Sequence, residues 1–267
     1  MGMLSLPRWL VCRRPAQRAC GWIIALCGLV AWPALAGSLQ VSPILLEFAP
    51  DQQAQAVWLS NSGSEPIRAQ VRVRAWTQSV AGDVLGDTDL LAASPPILEI
   101  APGERQLVRI VRIGKSLPDR ERPHRLLVDE LPTSEGTDAG GLQFLLRYSV
   151  PVFLLPTGAT AVTSETGPQP LSDVSALAVS LIANGADAVL TLRNHGARRL
   201  RISQLVHVAA DGQRTALVPG LLGYALSGQE MSWTLPQAAA VAAGGSLKAK
   251  FNDDQQEQAL PLPGAGR

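Results

Sequence analysis

The sequence predicts an all-β protein made of two sandwich domains, and three observations carry that expectation. Short apolar or alternating runs recur at intervals of about ten residues from Leu39 onward, turn-forming residues separate them, and the series breaks once, after Pro156. Short strands at regular spacing with turn signals between them are the pattern of a sandwich. The length of 267 residues agrees, since domains of roughly 100–150 residues would make two.

Residues 1–36 read as a cleaved export signal. Arg8, Arg13, Arg14 and Arg18 precede an apolar run from Gly21 to Trp32, and Ala34-Leu35-Ala36 supplies the small-x-small pattern of a cleavage site. The apolar run is shorter than the ~20 residues of a membrane-spanning helix, so no membrane anchor is expected after cleavage. Leu26, rather than a small residue, precedes Cys27, which argues against a lipid anchor there. Cleavage would remove Cys12, Cys20 and Cys27, all three cysteines of the chain. The remaining 231 of 267 residues would carry 19 basic and 22 acidic side chains. This mildly acidic remainder, with 17% charged residues in the whole chain, has no basic excess to attract nucleic acid. Without disulfides, its folding must rest on burial and hydrogen bonding.

The first domain is expected over residues 37–157, with strands at Leu39–Phe48, Ala56–Ser60, Ile67–Thr77, Ile97–Ile100, Gln106–Ile113, Arg125–Glu130 and Leu142–Leu155. Seven strands in about 120 residues fit an immunoglobulin-like sandwich. Alternation is clearest from Ile67 to Trp76, where Ile67, Ala69, Val71, Val73 and Ala75 face one way and Arg68, Gln70, Arg72 and Arg74 the other. That is a half-buried strand whose arginine row forms a solvated sheet face.

A linker is expected over 158–172, containing Gly158, Gly167, Pro168 and Pro170. A second, smaller sandwich follows over 173–267. Its strands read as Ala176–Ile182, Ala188–Asn194, Leu200–Ala209, an irregular Thr215–Ala225, Met231–Leu235 and Leu247–Phe251. The end, from Asn252, is polar and then Pro- and Gly-rich, and is expected to fray with Asp253-Asp254 as a solvated pair.

Catalytic chemistry has little to draw on. There is no Gly-x-Ser-x-Gly, no His-Glu-x-x-His and no phosphate-loop pattern. His124, His195 and His207 are scattered without carboxylates at ligand spacing. The expectation is a non-enzyme with no cofactor and no metal site.

The run from Leu142 to Leu154 is the most distinctive in the chain. Its even positions, Leu142, Phe144, Leu146, Tyr148, Val150 and Val152, are all apolar or aromatic. Pro151 lacks a backbone donor and so suits an edge strand. A long apolar edge invites pairing with another protein's strand. The same residues are compatible with a covered last strand of the sandwich.

Several segments together resemble the periplasmic pilus-assembly chaperones, the PapD-like partners of outer-membrane ushers. They are Val41-Ser42-Pro43, Ile97 to Arg112 with its Ala101-Pro102-Gly103 turn, Arg125-Leu126-Leu127-Val128-Asp129-Glu130-Leu131-Pro132, Leu142 to Pro156, and Gly223-Tyr224-Ala225-Leu226 followed by Trp233. The resemblance implies two immunoglobulin-like domains set at an angle around a subunit-binding cleft. It also implies a periplasmic location, pilus or fimbrial subunits and an usher as partners, and donor-strand complementation as the mode of capture, a known case of strand addition. Leu142, Phe144, Leu146 and Tyr148 are then the donor residues, and the open edge could also support self-association.

Two departures matter. The positions at which the better-known members carry a cleft arginine and a cleft lysine, which hold the subunit's terminal carboxylate, are Leu45 and Pro151 here. The stretch Arg147 to Phe153 is more similar to the divergent branch that assembles archaic-type pili. Arg125 and Arg147 are the candidate replacement anchors, because a guanidinium fork suits a carboxylate. The alternative reading is an exported structural or adhesive protein of two β-sandwich domains, with the 142–154 strand covered within the molecule.

Overall fold

The computed structural model describes residues 39–114, 118–132, 144–161, 171–236, 238, 241 and 244–263. Every regular element of more than a single residue among them is a strand. The N-terminal sandwich contains β1 (Leu39–Ser42), β2 (Leu46–Phe48), β3 (Ala54–Asn61), β4 (Ile67–Ser79), β5 (Gly82–Gly86), β6 (Leu91–Ser94), β7 (Ile97–Ile100), β8 (Arg105–Arg112), β9 (Arg122–Leu131) and β10 (Arg147–Leu154). One sheet has the order β1-β3-β8-β6, and the other β2-β10-β9-β4-β5 with β7 also on β4. Between them lie Leu39, Phe48, Val57, Leu59, Val71, Ile110, Leu126, Val128 and Val152, all buried.

The alternation expected in β4 holds from Ile67 to Val71 and weakens beyond, where Val73 and Ala75 are half-buried and Trp76, on the arginine face, is buried. Ile67, Ala69 and Val71 enter the core, while on the outer face Arg72 donates to Asp129 at 2.6 Å and Arg74 pairs with Asp87. Three boundaries differ from the sequence expectation. Leu39–Phe48 is two strands in different sheets, because the chain crosses from one sheet to the other through Pro43, Ile44 and Leu45. The short β5 and β6 were not anticipated. The last strand starts at Arg147, five residues later than expected, and Leu142 lies outside the described residues.

The C-terminal sandwich pairs the sheet β11-β12-β15 with the sheet β14-β13-β16-β17. Its strands are β11 (Leu177–Asn184), β12 (Asp187–Asn194), β13 (Leu200–Val208), β14 (Arg214–Ala225), β15 (Glu230–Leu235), β16 (Ser246–Phe251) and β17 (Gln258–Ala259). The irregularity expected at 215–225 appears as register shifts between β13 and β14. The end does not fray up to Pro263. β17 pairs with β16, Leu260 is buried in the core, and Asp254 accepts hydrogen bonds from Ser172 and Gln258. Asp253 is ion-paired to Arg201 at 2.6 Å rather than merely solvated.

Candidate functional site: an open strand edge beside a cleft

β10 organises the site. Its register with β9 pairs Arg147 with Asp129 and Pro151 with Arg125, while β2 runs parallel to it only from Val152 to Leu154. The expectation of an edge strand therefore holds for half its length. From Arg147 to Pro151 no strand among the described residues covers the second side, and beyond that β2 takes over.

The apolar face is likewise divided. Val150, Val152 and Leu154 are buried in the core, and Leu146 and Tyr148 are half-buried against it. The Tyr148 hydroxyl donates to the carbonyl of Leu39. These two side chains are thus engaged by their own sandwich, which narrows the free part of the expected face. Phe144 is the described residue that stands clear, at 76% exposure, with Leu145 exposed beside it.

On the opposite face of the same sheet, the end nearest the C-terminal sandwich is aromatic. Trp76 and Phe153 meet Tyr224 of β14, with Trp76 and Tyr224 rings edge-on at 5.3 Å, and Leu155 and Leu226 complete a buried cluster. A cleft of about 1640 Å³ opens beside this cluster, lined by Ile44, Leu45, Arg125, Ser149 and Pro151 on one side and Leu221, Tyr224, Met231 and Trp233 on the other. Gly223 lets the Trp233 indole lie against β14, since a Cβ there would come within 2.9 Å of its nitrogen.

A buried ionic network joins the two sandwiches. Arg199 donates to Glu121 at 2.6 Å and also to Glu47, and its guanidinium lies 3.6 Å from the Phe153 ring centre. Burial pushes the Glu121 carboxyl up, although Arg199 and Arg198 work against that shift. Gln78 of β4 adds a second bridge, accepting from the amide of Leu226 and donating to the carbonyl of Tyr224, each at 2.9 Å. Sequence reasoning missed this network. Its signal was Glu47 inside an apolar run, where a charge needs a buried partner.

The candidate anchors separate. The Arg147 Nε donates to Asp129, which Arg72 also holds. Burial works against the charge of Asp129, but the two arginines prevail and hold its carboxyl below the ordinary range. Arg147 is therefore already engaged and is not among the cleft-lining residues. Arg125 lines the cleft, with its guanidinium 3.7 Å from the Trp76 ring centre and 5.7 Å from that of Tyr224. Among the described residues it has no carboxylate within ion-pair distance. Burial lowers its pKa, with Asp83 and Tyr224 opposing, and a guanidinium so shifted is still a cation. Leu45 and Pro151 both line the cleft without charge. No group of three metal-ligating side chains comes together among the described residues.

Residues 38–160 match the family described as pili and flagellar-assembly chaperone, PapD N-terminal domain. The curated chaperone protein FanE of Escherichia coli is 29% identical over 135 residues, which are 50% of this chain and 56% of that one. The chain thus spans little more than half the length of that relative. The chaperone–tip adhesion subunit complex CsuC–CsuE from archaic Csu pili of Acinetobacter baumannii superposes with a TM-score of 0.62 at 24% identity, covering 84% of this chain and 98% of that one. A chain of the Salmonella enterica SafA pilin–SafB chaperone complex superposes with a TM-score of 0.53 at 13% identity, over 85% and 97%. Those likenesses share the fold of two immunoglobulin-like sandwiches. The N-terminal sandwich is thus similar to the PapD N-terminal domain of the pilus-assembly chaperones, and over the rest of the chain the likeness to the solved structures is one of fold.

Proposed function

We propose that this protein is a pilus-assembly chaperone that works in the periplasm, after loss of residues 1–36, by lending the edge of β10 to a pilus subunit that lacks a strand, and that it delivers the subunit to an outer-membrane usher. The observation that carries the reading is the juxtaposition of an edge that no described strand pairs at Arg147–Pro151, an exposed Phe144 ahead of it, and, at the cleft end, an arginine with no carboxylate within ion-pair distance among the described residues. Backbone pairing along the edge gives direction, and Phe144, with Leu142 before it and Leu146 behind it, would supply apolar burial in the subunit's groove. Side chains of this kind are worth roughly 1.5–3 kcal/mol each when fully buried. Leu146 would contribute less, being already half-buried in the free protein.

Arg125 is the carboxylate anchor in this reading. It is the direct cross-strand neighbour of Pro151, so the cation missing from β10 is replaced one strand over, on the same face of the sheet. Arg147 is the weaker candidate, because recruiting it would strip Asp129 of a partner. The similarity of the Arg147–Phe153 stretch to the archaic-type branch fits an altered anchor.

Co-expression with a subunit from the same genome tests the proposal. Arg125→Gln should reduce co-purified subunit at least about tenfold, as expected for loss of a charged hydrogen bond of about 1.5–3 kcal/mol, while Arg147→Gln should leave most of it. Equal recovery with Arg125→Gln and wild type would refute the anchor.

A further inference from the structure

We infer that Pro151 is a register stop, which restricts an added strand on β10 to one that ends opposite Ser149. This rests on the strand-lending reading above and adds to it a residue that fixes where the captured strand finishes.

The amide of Glu130 donates to the carbonyl of Leu146, and the amide of Leu155 donates to Phe48 of β2. Antiparallel strands alternate, so the even residues of β10 turn their backbone groups toward β9 and the odd residues turn theirs outward. Arg147 and Ser149 therefore each present an N–H and a C=O on the open side. Pro151 is the next outward residue, and it has no N–H to present. One residue further, Leu46 of β2 is already in register with Val152. The usable edge thus ends at Ser149 for want of a donor at Pro151, and β2 occupies the lane only from Val152 onward.

A chain continuing past Ser149 would leave its next carbonyl without a partner, at the cost of an unsatisfied polar group. A chain that terminates there meets something different. Arg125 Nη1 lies 3.5 Å from the Ser149 carbonyl, and its guanidinium faces the cleft at that level. The stop and the cation coincide, at the level where the strand-lending reading above already places the client's terminal carboxylate. Pro151, at the position where better-known relatives carry a lysine, acts by exclusion rather than by attraction.

A synthetic peptide of alternating Val and Thr with a free carboxylate, carrying a benzophenone side chain second from its end, reads the register by photocross-linking to the full chaperone. Wild type should give adducts concentrated around Ser149. Pro151→Ala restores the donor and should move or spread them by two residues toward Val152 and Leu45, and Pro151→Val serves as a second variant should the first fail to fold. Identical adduct sites in wild type and a folded variant would overturn the register stop while leaving strand lending intact. Absence of any adduct on β10 in wild type would overturn both.

Discussion

His124 gives the protein an acid sensitivity. The ring is buried in β9, with Nδ1 3.2 Å from the carbonyl of Arg122 and Nε2 3.1 Å from the Thr88 hydroxyl. Burial lowers its pKa from 6.5 to about 4, with the backbone carbonyl of Arg122 pulling the other way. The folded protein therefore holds the ring neutral where the unfolded chain already binds a proton. Stability from this site is complete above about pH 6.5 and is lost progressively as the pH falls to about 4, below which both states are protonated. A gap of about 2.5 units corresponds to about 3 kcal/mol at 1.36 kcal/mol per unit. Glu121 moves oppositely, since acid relieves the cost of burying its charge. Asp129, held below the ordinary range, loses its contribution only at about pH 4 and lower. Both groups remain in a His124→Gln variant, so the difference between the two proteins isolates the ring. Urea unfolding at about pH 7 and about pH 4 should show wild type losing about 3 kcal/mol more than the variant. Equal losses would refute the reasoning, whatever the variant's absolute stability.

Three further substitutions follow from the site. Phe144→Glu should abolish subunit capture and change unfolding free energy by no more than about 0.5 kcal/mol, because the side chain stands in water, whereas Leu146→Glu should cost about 1–3 kcal/mol in the free protein as well; thermal unfolding beside co-purification separates them. Arg199→Met leaves Glu47 and Glu121 buried together beside the more distant Arg198, at 3.5 and 3.9 Å. It should destabilise by about 3–5 kcal/mol near neutral pH, and the deficit should shrink as acid protonates Glu121, which a pH series of urea midpoints will reveal.

Much of the architecture was legible because strand periodicity is local. Ile97–Ile100 was read to the residue, and the series from 176 to 251 was recovered within a residue or two, since each strand announces itself by alternation and by the turn that follows. What escaped depends on which strands meet. Nothing within Leu39–Phe48 says that its halves belong to different sheets, and only that crossing brings β2 onto the upper part of β10 and closes half of the edge. Arg125 and Arg147 looked equivalent as exposed-face arginines. Their difference arises from register, which sets Arg147 against Asp129 and Arg125 against an uncharged Pro151. The Glu47–Arg199–Glu121 network joins positions 78 and 152 residues apart, beyond the reach of any local pattern. The tail from Asn252 read as frayed because its anchors, Ser172 and Arg201, lie far back in the chain.

The partial cover on β10 bears on the entropy of capture. A flexible loop that became a strand only on meeting its client would lose conformational freedom in that step, at roughly 1–2 kcal/mol per backbone residue. From Arg147 to Leu154 the strand is already ordered, bonded to β9 throughout and clamped by β2 at one end. Its open groups wait in fixed positions, so over this stretch the ordering cost of association falls on the incoming chain alone. The same rigidity favours stepwise departure. Under the proposed strand lending, a competing strand would take over the client's groove one residue at a time while the β10 edge keeps its shape, and the protein would return to its starting state without refolding.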